Sequence, residues 1–410
     1  MTRELAVNTN AVMPPIESVS VLIPTRDRAN KLATCLSHLA RQTFAEASGG
    51  VLVPAVEVIV SLDGPDDASR KVCERAAVAW PKLAVRVVEG PRHGYMVARN
   101  QALSAVRGGL SKDRLIISIN DDVRPEPGFI ETHVRAHMEA HARGIRLCVV
   151  AGSSPWIVHE PDRLFDRLIR ETSMVFFYGE MDAAVAKDGD GSRWRDWGFR
   201  HAWGLNTSIP AWAIAEVGPY AEYAGQYGYE DVEMVHRVCE RFGVNEAGKP
   251  RMNGIVANVG AGGAVPVLYR PEAFAPHDHR MEPKDYIARE YKLGYTAWSF
   301  SRVSARCAQA IFARDIAGDG KGELAKALAH VAEELPRAKA AAKVLLESAK
   351  LDAKSEAGTQ SDAFAGVFTV EAAYQAHIPA KRWAWHLGLA DAIRGYGNFA
   401  DRAVAELEVE

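Results

Sequence analysis

Two short acidic stretches carry side chains able to do chemistry together. The first is Asn120-Asp121-Asp122, which follows the apolar run LIISI (115–119) and leads into a turn built on Pro125, Pro127 and Gly128. Adjacent carboxylates at the end of a buried strand are costly unless something positive lies between them. Hard oxygen donors suit Mg²⁺ or Mn²⁺, and such an ion commonly also holds a substrate phosphate. The second is Glu230-Asp231, at the start of YGYEDVEMVHRVCERFG (227–243). A carboxylate in the first turn of a helix is kept charged by the amide dipoles and can take a proton from an attacking hydroxyl. Read locally, both stretches also fit plainer roles, a turn cap and ordinary helix N-terminal charge.

These residues need a frame. VSVLIP (19–24), VEVIVSL (56–62), AVRVV (84–88), LIISI (115–119) and LCVVAG (147–152) read as buried strands. Helical spacing fills 28–43, 66–80, 95–107 and 127–143 between them, and 230–242 later. Strand–helix alternation of this kind predicts an α/β fold with a mostly parallel sheet covered by helices on both faces. Ligands of such sheets bind beyond the carboxyl ends of the strands. The residues there are Thr25-Arg26-Asp27-Arg28, Asp63-Gly64-Pro65-Asp66-Asp67, Gly90-Pro91-Arg92-His93-Gly94 and Asn120-Asp121-Asp122. All four ends are polar.

Past residue 145 the rhythm loosens. Asp188-Gly189-Asp190-Gly191 reads as a mobile loop, with 183–193 a candidate lid, and Trp194, Trp197 and Trp203 follow it. From 281 the composition turns to Ala, Arg, Lys and Glu, predicting a helical C-terminal region over 281–410. Its first amphipathic helix carries Leu324, Leu328, Val331 and Leu335 and is expected to kink or stop at Pro336. Residues 354–361 read as a linker between this helix and a pair near 370–377 and 381–394. Residues 1–16 read as a disordered leader, which leaves 17–280 as the catalytic unit.

The chain has 410 residues and a formal net charge of −3. No basic field points to nucleic acid. The five cysteines are dispersed, without a CxxC, and fit buried thiols in a reducing compartment. The N-terminus lacks the apolar core of a signal peptide, and no run reaches the ~18 apolar residues of a membrane span. A cytoplasmic protein is expected, with peripheral membrane contact left open.

Over about 18–280 the chain resembles the family 2 glycosyltransferases of the GT-A fold. The matching segments come in the family's order: VSVLIPTRDR, VIVSLDGPDD, GYMVARNQALSAVRG, ISINDDVRPEPGF, WGLNTSIPAWAIAEVGPYAE, YGYEDVEMVHRV and YRPEAFAPH. The departures are Leu62 at the first acid of the second segment and Asn120 at the first acid of the D-x-D metal motif. The C-terminal ~130 residues lie outside the resemblance.

The resemblance implies a nucleotide-sugar-dependent transferase, inverting, with a divalent metal (Mn²⁺ or Mg²⁺) and a UDP-sugar as the favoured donor. It implies a nucleotide site from Pro24, Thr25, Asp27, Asp63, Arg92, Arg99, Asn120 and Asp121, with Arg99 suited to the diphosphate. It implies Asp122 and His277 as metal ligands, with His279 as runner-up. Asp231 would be the base, with Glu230 contacting the acceptor or sharing the task. Trp203, Gly204 and Asn206 would line the sugar and acceptor pocket, Trp203 by stacking. The acceptor is a glycan, a small molecule or a lipid-linked sugar. Outside the resemblance, the C-terminal helices are read as a surface for a homo-oligomer, a wall of the acceptor cleft or a membrane-facing layer, with ordinary packing against the catalytic domain favoured over the membrane for Tyr295–Phe312. Asn120 also permits an inactive nucleotide-sugar-binding scaffold. A sugar-1-phosphate nucleotidyltransferase is disfavoured, because TRDRANK lacks the glycine-rich loop such enzymes place after the first strand.

Overall fold

The structure, a computed structural model, describes residues 16–43, 54–223, 227–243, 254–255, 265–353 and 369–409. The leader (except Ile16, which is buried) and the 354–361 linker lie outside these residues.

The strands are β1 (Ser18–Thr25), β2 (Ala55–Leu62), β3 (Val85–Glu89), β4 (Arg114–Ile119), β5 (Val149–Ser153), β6 (Arg195–Asp196), β7 (Asn206–Pro210), β8 (Gly254–Ile255) and β9 (Val267–Phe274). One sheet of seven strands has the order β3-β2-β1-β4-β7-β5-β9, and β6 pairs with β8. The pairs β1–β2, β1–β4 and β2–β3 are parallel, which leaves Thr25, Asp63 and Asn120 at one edge. Val, Ile and Leu on these strands alternate between two cores. Leu22, Ile59 and Ile116 join one, while Val21, Ile23, Val58, Val60, Leu115 and Ile117 join the other. Both faces are therefore covered, as the apolar runs predict.

The sheet is mixed because β7 runs antiparallel to both β4 and β5. This strand was not read from the sequence. Three of its five residues are polar, and all five are buried. Asn206 and Ser208 are satisfied by two buried imidazoles of the helix Phe129–Ala142. His133 bonds Ser208 Oγ and Asn206 Oδ1, each at 2.9 Å, and His137 bonds Ser208 Oγ at 2.9 Å. A polar strand is affordable only where such partners wait for it, and hydrophobic patterning cannot report them.

The C-terminal region is helical, with helices Pro283–Val303, Ala305–Phe312, Gly320–Lys350, Val370–Ile393 and Ala400–Glu406. Two expectations are corrected. Helix Gly320–Lys350 does not stop at Pro336, and the pair expected near 370–377 and 381–394 is one helix running through Pro379. Tyr286, Tyr291, Ala342, Leu345, Trp383 and Leu387 form a third core, which also takes in Leu164, Phe165 and Leu168 of helix Leu164–Glu171. That shared burial outweighs the local cost of each proline. The 183–193 stretch is a further correction. It lies in helices Tyr178–Asp188 and Asp190–Arg193 rather than in a loop. No helix among the described residues is long and apolar enough to cross a membrane.

Candidate active site

Asp121 and Asp122 sit just beyond β4, both almost fully buried. Thr25, the last residue of β1, donates its hydroxyl to Asp121 Oδ2 at 2.6 Å. Arg28 spans the two acids. Its Nη1 lies 2.9 Å from Asp121 Oδ1, and its Nη2 hydrogen-bonds Asp122 Oδ2. His277 arrives from the segment after β9, with its Nε2 3.2 Å from the same Asp122 Oδ2. Its position is fixed by backbone bonds, because His277 N–H donates to Pro155 O and Asp278 N–H donates to Asp122 O. Asp278 is held in turn by Lys31 and Arg124, each at 2.6 Å. His279 is more distant, 3.8 Å from Asp122 Oδ2.

The two carboxyls are driven apart. Burial and the neighbouring Asp122 push Asp121 up to about 6. Burial acts the same way on Asp122, but His277 and Arg28 outweigh it and hold that acid ionised well below the usual range. Asp122 Oδ1 is buried without a hydrogen-bond partner. Asp122 and His277 thus supply one hard oxygen and one imidazole nitrogen at one point. Among the described residues no group of three or more His, Cys, Asp or Glu is arranged to hold a metal. The pair fits a divalent ion only as a two-ligand site completed by diphosphate oxygens and water, a common arrangement for Mg²⁺.

At the ends of the first two strands, Asp63 is nearly buried and accepts from Gly94 N–H at 2.9 Å. Asp63 N–H donates to Thr25 O at 2.9 Å. Asp27 is exposed and left-handed (φ 53°), and Arg92 Nη2 lies 2.6 Å from its Oδ2. An exposed pair of this kind contributes little to stability and leaves both side chains free to meet a ligand. Pro24 is buried one residue before the end of β1, opposite Ser61.

Arg99 is placed differently from expectation. The resemblance suits it to an anionic ligand, but its side chain is 2% exposed. Its Nη2 donates to Gly204 O at 2.9 Å, to Tyr95 Oη and, more weakly, to Asn120 Oδ1 at 3.4 Å. Its Nε lies 3.8 Å from Glu230 Oε1. Tyr95 Oη donates to Asn120 Oδ1. The guanidinium is a strut joining helix Tyr95–Ser104, the end of β4, the 203–205 turn and helix Glu230–Phe242. Asn120 belongs to this strut, since its amide oxygen accepts from both Tyr95 and Arg99.

Asp231 completes the other end of the strut. Its Oδ2 accepts from Gly204 N–H at 2.8 Å and its Oδ1 from Val232 N–H at 2.7 Å. Gly204 is required here, because a Cβ would stand 2.5 Å from Arg99 Nη2. Trp203 packs between Phe176 (5.3 Å between ring centroids), Phe177 and Tyr178. Phe176 also approaches His277 at 6.1 Å, and Trp156 stands 4.4 Å from the His277 ring. One aromatic wall therefore runs from the Asp122–His277 corner to the Asp231 corner. Asn206 is a correction. Its amide donates to Ser153 O, Ser154 Oγ and Ala273 O, and its oxygen is bonded to His133, so it is a buried knot rather than a pocket residue. Trp194 and Trp197 also leave the site. Trp194 lies under Arg143 and Arg270, and Trp197 is buried beside Tyr269. Arg28, Tyr95, Trp156 and Phe176 were not singled out in the sequence. Arg28 stood in plain view in TRDR, but nothing local tells which of its two arginines turns inward.

Glu230 is buried, with Oε2 unpartnered. Burial, then Asp231, push its carboxyl up to about 7 against the pull of Arg99. The raised acid stabilises the fold at low pH. That contribution is complete below the unfolded value near 4.5 and is lost as pH rises through about 7. At about 1.4 kcal/mol per pH unit the window is worth on the order of 3 kcal/mol. Glu230→Gln is therefore expected to flatten the fall in melting temperature between pH 4.5 and 7.5. Parallel pH profiles for the two proteins would show that Glu230 does not titrate in this window.

Comparison with known proteins gives one family. Residues 20–182 match the glycosyl transferase family 2 model. The chain is 29% identical over 231 residues to a validoxylamine A glucosyltransferase of Streptomyces hygroscopicus subsp. jinggangensis, covering 54% of this chain and 51% of that protein. A second, from subsp. limoneus, matches over the same length with 47% of that protein covered. The chain thus spans about half the length of the curated relatives it matches. Among solved structures, the mannosyltransferase PcManGT of Pyrobaculum calidifontis, in complex with GDP-Man and Mn²⁺, superposes with a TM-score of 0.42 at 15% identity, covering 72% of this chain and 64% of that one. GalNAc-T7 with UDP, GalNAc and Mn²⁺ gives a TM-score of 0.42 at 14% identity, covering 68% and 50%.

Proposed function

From the premise that residues 20–182 form a glycosyl transferase family 2 region, we propose that the chain transfers a sugar from a nucleoside diphosphate donor, UDP-sugar by preference, to an acceptor hydroxyl with inversion. The observation that carries this reading is the aromatic wall that joins two unlike corners, Asp122–His277 and Asp231. One corner suits a metal diphosphate, and the other holds a carboxylate fixed at a helix N-terminus.

In this reading Pro24, Thr25, Asp27, Asp63 and Arg92 frame the nucleotide at the ends of the first strands. Asp122 and His277 hold the divalent ion, which when bound neutralises the departing diphosphate. Asp121, fixed by Thr25, keeps Asp122 in place. The sugar lies along Trp203 and Phe176, whose ring faces suit its C–H surfaces. Asp231, held by two backbone N–H groups, takes the proton from the acceptor hydroxyl as that oxygen attacks the face opposite the leaving group. Glu230 keeps Arg99, and through it Gly204 and Asp231, in position.

The direct test is thermal denaturation with nucleoside diphosphates, with and without Mn²⁺. A rise in melting temperature of several degrees is expected with UDP plus Mn²⁺, and little with either alone. Equal stabilisation by UDP in the presence of EDTA would remove the metal from the reading.

A further inference from the structure

The cation that lies between Asp121 and Asp122 is the chain's own. Arg28 is the residue that enters helix Ala29–Leu39. Its guanidinium hydrogen-bonds Asp122 Oδ2 through Nη2 and pairs with Asp121 Oδ1 through Nη1 at 2.9 Å, so one arginine bridges two carboxylates. The three groups differ in freedom. The side chains of Asp121 and Asp122 are 3% and 4% exposed, whereas that of Arg28 is 36% exposed. The acids are anchored by Thr25 and by the turn after β4, so they cannot follow a ligand. Arg28 can rotate outward without opening a core. Toward solvent it would meet the rim of Arg26, Asp27 and Arg92, whose side chains are mostly exposed.

The position is also contested. Asp122 Oδ2, the oxygen that faces His277 Nε2 at 3.2 Å, is the one Arg28 Nη2 occupies. A divalent ion cannot be held by that oxygen and His277 while Arg28 donates to it. Two buried carboxylates without any cation would be strongly disfavoured, so an ion that takes Oδ2 exchanges with Arg28, whereas one held only by the unpartnered Oδ1 would leave Arg28 in place.

Resting on the metal-assisted reading above, we infer that Arg28 is the resident counter-ion of the Asp121–Asp122 pair. A divalent cation displaces it, and the released guanidinium turns to the donor's diphosphate. Ion binding and donor binding are coupled through this one side chain. Before the donor arrives the ion competes with Arg28. Once the diphosphate is present, the arginine has a new anionic partner and the competition is relieved.

The test reads metal and nucleotide binding, not turnover. Free Mn²⁺ is followed by electron paramagnetic resonance during titration of the full chain, with and without UDP. Arg28→Gln is expected to bind Mn²⁺ at least tenfold more tightly than wild type in the absence of UDP. With Mn²⁺ saturating, it is expected to bind UDP several-fold more weakly by calorimetry. Arg28→Lys keeps the charge but loses the bridge between the two acids, and it should fall between the two in both measurements. It also serves if the glutamine variant is poorly folded. Asp122→Asn should lose Mn²⁺ binding. Wild type that binds Mn²⁺ with UDP while Arg28→Gln shows unchanged or weaker Mn²⁺ affinity would overturn the inference and leave the metal site standing. No Mn²⁺ binding by any of these proteins, with UDP present, would overturn both. Tighter Mn²⁺ with unchanged UDP affinity would overturn the transfer of the guanidinium to the diphosphate.

Discussion

Asp231→Asn is expected to lower turnover with a nucleotide-sugar donor by roughly 10²- to 10⁴-fold, the usual worth of a positioned general base. Affinity for UDP with Mn²⁺ should stay near that of wild type. The argument rests on what holds the carboxylate. Both oxygens accept from backbone N–H groups, Gly204 at 2.8 Å and Val232 at 2.7 Å. Each still has a lone pair for the acceptor hydroxyl. An asparagine presents one oxygen and one NH₂, so one of the two N–H donors must face a donor. This costs about 1–3 kcal/mol of stability, so melting temperature must be measured beside the rate. A folded Asp231→Asn protein with turnover within tenfold of wild type would remove Asp231 as base. Full activity there with loss in Glu230→Gln would move the base one residue back.

Several parts of this site could be read from the sequence because they are local. The strand ends show as polar breaks after β-branched runs, and parallel order follows from strand–helix alternation. The structure accordingly brings Thr25 and Asp121 within a hydrogen bond, although 96 positions separate them. Other parts could not be read, and each for a physical reason. β7 is polar because its partners are the imidazoles of His133 and His137, which lie on another element. Pro336 and Pro379 do not stop their helices, because burial in the C-terminal core outweighs a lost backbone bond. Arg99 has the composition of a ligand-binding arginine, and only its burial by the 203–205 turn and helix Glu230–Phe242 makes it a strut. Asn120 is the clearest case. As a replacement for a metal-motif acid it reads as a loss. In three dimensions its oxygen receives Tyr95 and Arg99.

Arg99→Met is expected to cost about 3–5 kcal/mol of stability, because it leaves the Glu230 carboxyl buried without the cation that pairs with it among the described residues. At a few degrees per kcal/mol for a chain of this size, the melting temperature should fall by on the order of 10 °C. The partners support a large value. The substitution removes the donor to Gly204 O and Asn120, the cation over the Tyr95 ring at 4.5 Å and the ion pair with Glu230. Methionine replaces the volume and not the charge, so cavity formation adds little. The ionic part can be separated by a double-mutant cycle at pH 8, above the value of about 7 to which burial pushes Glu230 beside Arg99. Glu230→Gln in the Arg99→Met background should recover at least 1 kcal/mol, because the buried charge no longer lacks a partner. The same recovery should vanish near pH 5, where Glu230 is already protonated. Loss of under 1 kcal/mol in Arg99→Met, or a recovery that does not depend on pH, would mean that packing rather than charge holds the turn that carries Gly204 to Asp231.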